Sequence, residues 1–231
     1  NALLADPNGT KATIKVDLGN SYTFFLKSTS KANIDDCFNR ILPYVYDGVF
    51  TFANDNPEIY WWYAPSISYT YSIRGKNVTI KAIVLNSTVK ERTKNANFKS
   101  KITSVSNSIL GSSAYETIKN IHYYVCSTIT YTKIDDTKID QTAYGAVINK
   151  KCVCEGYAKL FKALCDRKGI ICIVVDGKAG TKEKSGWHEW CYVFHPQEKK
   201  WYAVDPTWDD AKPYANKVLY NYFLVGSDTK V

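Results

Sequence analysis

The sequence predicts an α+β fold in which helices come first and antiparallel strands follow. Three features predict it. Residues 66–85, "SISYTYSIRGKNVTIKAIVL", alternate cleanly and turn at Gly75, the pattern of a β-hairpin. Two helical stripes follow, and a third helix begins at Cys154. Beyond Gly169 the chain turns to strands.

The N-terminal stretch opens with "TIKVDL" and "YTFFLK" (13–18 and 22–27), read as short strands around a Gly19-Asn20 turn. Residues 34–54 carry helical spacing, interrupted at Pro43 and stopped by "NDNPE". With the hairpin, these make residues 1–100 a small α+β extension. Residues 101–231 form the main domain. There Ile102, Val105 and Ile109 share one stripe before Gly111. Ser113-x-x-Glu116 is a capping-box pattern that opens a helix through Tyr115, Ile118, Ile121 and Val125. A weaker helix is expected near 140–148. The Cys154 helix turns Tyr157, Leu160, Phe161 and Leu164 inward and stops at Gly169. Strands are expected at Ile170–Val175, Trp187–Phe194, Trp201–Asp205 and Val218–Val225.

The composition is that of a globular protein, with 45% hydrophobic and 23% charged residues and no low-complexity tract. Apolar runs such as Ile170–Val175 are far too short to span a bilayer. The chain starts with Asn and has no Met, so a processed or truncated form is expected, one from which an export signal could have been removed. The net charge of +8 is concentrated in residues 74–101, which hold eight Lys and Arg against one acidic residue. The blander reading of such a stretch is a solvated helix face, and no nucleic-acid-binding signature accompanies it. No nucleic-acid partner is expected.

Seven cysteines stand at 37, 126, 152, 154, 165, 172 and 191. Cys152 and Cys154 admit three readings: a metal clip, a disulfide, or a nucleophile beside a bystander. Zinc favours C-x2-4-C spacing and about four ligands, which C-x-C does not supply. A Cys152–Cys154 disulfide would close a very small strained ring. The nucleophile reading has a mechanism, because the positive end of the helix dipole beside Cys154 favours a thiolate. A thiolate needs a base, and the base needs an orienting group. His122 lies beside the apolar stripe of its helix and reads as structural, and His195 precedes Pro196 at an exposed turn. His188 lies in "GWHEWCYVFHPQEKKWYAVDPTWDD", which folds naturally as a hairpin. With the turn centred between residues 196 and 197, His188 stands across from Asp205.

"CVCEGYAKLFKALCDRKGI", "WHEW", "WYAVDPTWDD" and "YNYFLVGSD" together resemble the core of the transglutaminase-like superfamily, in particular its bacterial branch. The likeness extends upstream through "AYGAV", "AYETIKNIHYYVCSTITY" and "NDNPEIYWW". This resemblance implies a papain-like core, with a Cys-bearing helix packed on an antiparallel sheet that carries His and Asp. It implies a triad of Cys154 as nucleophile, His188 as general base and acid, and Asp205 as orienter. Cys191 stands where such proteins commonly have Asn, and Tyr123 where many have Asp. A further Cys near the site suggests a reversible disulfide with Cys154.

The implied chemistry is acyl transfer on peptide or protein amides through a thioester, ending on water or on an amine. No metal or cofactor is implied, and no calcium loop of the D-x-D-x-D-G type is present. The Cys154 backbone N–H is the expected first oxyanion donor, with the Tyr144 side chain as the second. Tyr157, Trp187, Trp190 and Trp208 are read both as cleft walls and as core packing. The implied partner is a protein or peptide substrate, with cell-wall association in view, and the implied location is secreted or cell surface. The alternative is a catalytically silent module that keeps the fold and binds peptide or cell-wall polymer.

Overall fold

The computed structural model describes residues 11–62, 65–88, 92–133, 138–212 and 217–226. The chain divides into two compact units. The first comprises residues 1–53 and 61–92, and the second comprises residues 54–60 and 93–231.

The first unit is built on the long strand β4 (Asn77–Thr88). One edge pairs antiparallel with β3 (Ser66–Arg74) across the Gly75 turn, where φ is +62°. The other edge is shared end to end by β1 (Lys11–Asp17) and β2 (Thr23–Phe25). The two strands flanking Gly19-Asn20 therefore pair with β4 and not with each other. A turn that carries them past one another leaves each free to use a different stretch of the same edge. The helical spacing of 34–54 resolves into α1 (Lys31–Asn39) and α2 (Leu42–Asp55). Pro43 sits in the first turn of α2, where its missing N–H costs nothing. Helix α1 is capped by Ser30, whose Oγ accepts from the Asn33 N–H. It buries Ile34, Cys37 and Phe38, with Phe38 stacked on Tyr69 at 4.3 Å.

The second unit opens with α3 (Arg92–Ser108) and α4 (Ala114–Thr128). The capping box at α4 forms with one shift. Ser113 Oγ accepts from the Glu116 N–H, but the Glu116 carboxylate reaches back to the N–H of Ser112 (2.9 Å). Two short parallel strands, β5 (Thr130–Tyr131) and β6 (Lys151–Cys152), bracket the stretch before Cys154. The weak helix expected near 140–148 is instead a 3-10 turn at Ile139–Gln141 and a π-helical turn at Gly145–Asn149. A regular helix is ruled out by how closely the chain folds on itself. A Cβ on Gly145 would come within 2.3 Å of the Ile139 carbonyl oxygen, and Lys150 closes the turn at a φ of +54°.

Helix α5 (Cys154–Arg167) runs through the centre, with eleven of its residues buried, including Tyr157, Leu160, Phe161 and Leu164. It packs on α4 and on a four-stranded antiparallel sheet of order β10-β9-β8-β7. The strands are β7 (Cys172–Gly180), β8 (Ser185–His195), β9 (Lys200–Val204) and β10 (Phe223–Val225). Only the end of the stretch expected as a strand at 218–225 pairs in this way, apart from a single bridge between Val218 and Asp210. Asp205 is not a strand residue. It caps the four-residue turn α6 (Pro206–Asp209). Two lysines of α5 lie inside the unit and are ion-paired, Lys159 with Glu189 (3.1 Å) and Lys162 with Asp166 (2.7 Å), as buried cations must be. Residues 54–60 join this unit through Glu58, held by two bonds from Arg167 (2.6 and 2.7 Å), and through Tyr60, which packs on Phe98 and Tyr144. Among the described residues, no helix is long and apolar enough to cross a membrane.

The start of α5 has no spare room. A Cβ on Gly156 would meet Cys152 Cβ at 2.4 Å and the Asp140 carbonyl oxygen at 2.8 Å. Gly156→Ala is therefore expected to lower unfolding free energy by about 1–3 kcal/mol, measured by urea titration.

Candidate active site

Cys154 is the first residue of α5 and is 8% exposed. Its position is set from behind by the Val153 N–H, which donates to the Asp140 carbonyl (3.1 Å). The Cys154 thiol donates to Glu155 Oε2 (3.2 Å), and the backbone N–H of Glu189, the residue after His188, faces the sulfur and favours its charged form. The other Glu155 oxygen, Oε1, accepts from Gln141 Nε2 (3.1 Å). Burial, and after it the Glu155 carboxylate, push the Cys154 thiol up to about 12. The helix dipole alone predicts the opposite direction. It is outweighed first by burial of the sulfur and then by the Glu155 carboxylate in the first turn of α5.

His188 lies on β8, and its Nε2 is 2.6 Å from Asp205 Oδ2. With Nε2 engaged, Nδ1 is the ring nitrogen left to exchange a proton with another partner. Trp208 stacks on the imidazole at 4.7 Å and 10°, and Trp190 at 6.1 Å and 20°. The hairpin register differs from the sequence expectation. Cys191 pairs with Val204, which centres the turn between residues 197 and 198. Extended one step, this register sets Asp205 across from Trp190, diagonal to His188. The shift is two residues, so the side chains keep the same face. Asp205 reaches His188 because the chain has already left the strand there. Its Oδ1 accepts from the N–H groups of Thr207 (3.0 Å) and Trp208 (3.2 Å), and this capping leaves Oδ2 for the imidazole.

The remaining candidates separate. Trp190 and Trp208 stand at His188, whereas Trp187 is 75% exposed at the strand end. Tyr157 is fully buried and no cleft wall, because its hydroxyl is committed to Asp210 Oδ2 (2.6 Å) inside the unit. Tyr144 packs its ring against Tyr60 (4.6 Å) and Phe98 (5.8 Å) in an aromatic cluster. From the same stretch it is Gln141 that reaches the neighbourhood of the nucleophile. Cys191, expected near Cys154, donates instead to the Ala158 carbonyl (3.3 Å) beneath α5, with Cys172 and Cys165 as its thiol neighbours. Cys152 is fully buried under Gly156, and burial drives its thiol far above the ordinary range. His195 is buried, not exposed, and accepts from the Glu198 N–H. Sequence reasoning missed Glu155 and Gln141. The available signal for Glu155 was a carboxylate one residue after the candidate nucleophile. Among the described residues, no three His, Cys, Asp or Glu side chains are grouped to hold a metal.

A cysteine at the N-terminus of a buried helix, packed on an antiparallel sheet whose inner strand carries a His paired with an Asp just past the neighbouring strand, defines a papain-like α+β core. Residues 103–206 match the transglutaminase-like superfamily. The mouse kyphoscoliosis peptidase is 29% identical over an aligned 126 residues, which cover 47% of this chain and 19% of that protein. The chain thus matches about a fifth of that relative's length. Among solved structures, the crystal structure of a TGase is similar with 17% identity and a TM-score of 0.41, over 61% of this chain and 44% of that one. The periplasmic domain of TgpA from Pseudomonas aeruginosa has 16% identity and a TM-score of 0.40, over 64% of each chain.

Removing the Glu155 charge while keeping its shape removes one of the groups that hold the Cys154 proton. Glu155→Gln is expected to lower the thiol pKa and raise the iodoacetamide alkylation rate of Cys154 at pH 7.5 by about tenfold. Residue-resolved mass spectrometry reads this directly.

Proposed function

We propose that this chain is a cysteine-dependent acyl-transfer enzyme acting on peptide or protein amides, with Cys154 as nucleophile, His188 as general base and acid, and Asp205 as orienter. One observation carries the reading. His188, paired with Asp205 at 2.6 Å, lies on the strand whose next residue, Glu189, turns its backbone N–H toward the Cys154 sulfur. The proposed sequence begins with the thiol protonated and bonded to Glu155. As substrate enters, the Cys154 proton passes to His188 Nδ1 while the sulfur attacks the amide carbonyl. Asp205 supports the imidazolium through Nε2. Charge forming on the carbonyl oxygen is stabilised by the Cys154 backbone N–H. His188 returns the proton to the departing amine, leaving a thioester on Cys154. Water or a primary amine then attacks the thioester, with His188 again taking the proton and returning it to the Cys154 sulfur as the C–S bond breaks. No metal or cofactor enters this sequence. The proposed substrate is a protein or peptide, including peptide of a cell wall. The proposed location is secreted or cell surface, as the likeness to an exported bacterial branch implies.

The protonated resting thiol also suits the second reading, a silent module that binds peptide or cell-wall polymer. Two assays on one preparation separate them: release of amine from fluorogenic peptide amides, and incorporation of a fluorescent primary amine into casein. The enzyme reading expects turnover in one or both, lowered about 10³-fold or more by Cys154→Ala and by His188→Ala. Absent turnover, together with peptide binding that Cys154→Ala leaves unchanged, would establish the silent module instead.

A further inference from the structure

The α6 turn sets where the orienting carboxylate lies, because Asp205 is its cap and Trp208 its third residue. Asp205 Oδ1 holds the N–H groups of Thr207 and Trp208, and Oδ2 meets His188. Four residues make too short a helix to hold its own shape, so its position must come from its surroundings.

Those surroundings converge on α4. His122 Nε2 meets Asp209 Oδ2 at 2.9 Å, and both side chains are fully buried. One turn along α4, the Cys126 thiol donates to the Pro206 carbonyl (3.2 Å), its sulfur lying 3.7 Å from His122 Nε2. The Tyr222 backbone grips both ends of the turn. Its N–H donates to the Asp209 carboxylate (3.1 and 3.2 Å), and its carbonyl accepts from the Asp205 N–H (2.9 Å). The His122 ring stacks on Tyr220 at 5.2 Å and meets Phe223 edge-on at 5.0 Å. A flat ring with one aimed N–H fits this aromatic slot and still reaches the carboxylate.

We propose that His122 is a positioning residue for the triad: through Asp209 it fixes the α6 turn, and so aims Asp205 and Trp208 at the His188 imidazole. The proposal rests on the Cys154–His188–Asp205 reading. Without the imidazole the fully buried Asp209 carboxylate keeps only the Tyr222 N–H, and an under-paired buried carboxylate is costly enough to shift its place. It must turn toward solvent or take up a proton, and either change drags the four-residue turn. A histidine that merely filled core space would affect stability and leave the His188–Asp205 bond where it is.

The test compares His122→Phe, which keeps the ring contacts and removes the donor, with His122→Gln, which restores an N–H. The first readout is the proton resonance of the His188 Nε2–H, far downfield because of its bond to Asp205 and assigned by its loss in His188→Ala. The second is the alkylation rate of Cys154 by iodoacetamide at pH 7. In folded His122→Phe the resonance is expected to move upfield or broaden, and alkylation to slow about tenfold, the scale of a small misplacement in a catalytic group. His122→Gln is expected to recover most of both. A folded His122→Phe with the wild-type resonance and rate overturns the proposal. If that variant does not fold, Asp209→Asn, which keeps the shape and weakens the bond to His122, carries the test. A smaller shift of the same resonance is expected there, and an unmoved resonance overturns the proposal. If alkylation is unchanged in His188→Ala, the triad reading fails by itself. The resonance in the His122 variants still decides whether His122 sets the His188–Asp205 bond.

Discussion

Helix α5 is enclosed along nearly its whole length, and the second unit depends on that enclosure. A helix with Tyr157, Leu160, Phe161 and Leu164 inside has to be covered on more than one side, by α4 and by the sheet. Its first residue then lies where helix, sheet and the 139–141 turn meet. The glycine at 156 lets Cys152 and the Asp140 carbonyl close in on that end, which leaves the Cys154 sulfur little freedom to wander. The same packing brings the thiol against the Glu189 backbone on β8, one residue from His188.

Enclosure has an electrostatic consequence. Taking a thiol out of water disfavours its charged form, and Glu155 adds a negative charge at hydrogen-bond distance. Around this point the carboxylates of Asp140, Glu155, Glu189 and Asp210 gather in a chain whose net charge is +8. Lys159 neutralises Glu189, and Tyr157 and Lys212 engage Asp210. Glu155 is the carboxylate whose hydrogen bonds go to the thiol and to an amide. A thiol so surrounded is protected from adventitious oxidation and alkylation, since the reactive form is the thiolate.

On the far side of the imidazole, the acid partner is held by backbone geometry more than by packing. Asp205 caps α6 with one oxygen and presents the other, a division of labour that only a residue leaving a strand into a helical turn can have. Trp208 comes from the same turn and covers the imidazole face. Placing the paired carboxylate and the covering indole on one short element means that both move together.

Much of this was legible in the residues. The alternation of 66–85, the stripe of α4 and the apolar face beginning at Tyr157 are local periodicities, and local periodicity survives folding because backbone geometry imposes it. Cys154 at a helix start, and His188 and Asp205 on facing stretches of a hairpin, could likewise be read from order and spacing. Tertiary structure decided the rest. The hairpin register moved by two residues, with Lys199 closing the turn at a φ of +55° and its N–H donating to the His195 carbonyl (2.8 Å). The stretch near 140–148 gave up a regular helix because Gly145 is pressed against the Ile139 carbonyl. Tyr144 and Tyr157 went to the core through contacts with Tyr60, Phe98 and Asp210, all distant in sequence. The direction of the Cys154 pKa and the pairing of His122 with Asp209, 87 residues away, arise from burial and from side chains meeting across elements. Sequence by itself determined which groups could act and on which elements they ride. Desolvation and long-range contact decided which of them meet and in what state of protonation, because both depend on what surrounds a group in space and not on what precedes it in the chain.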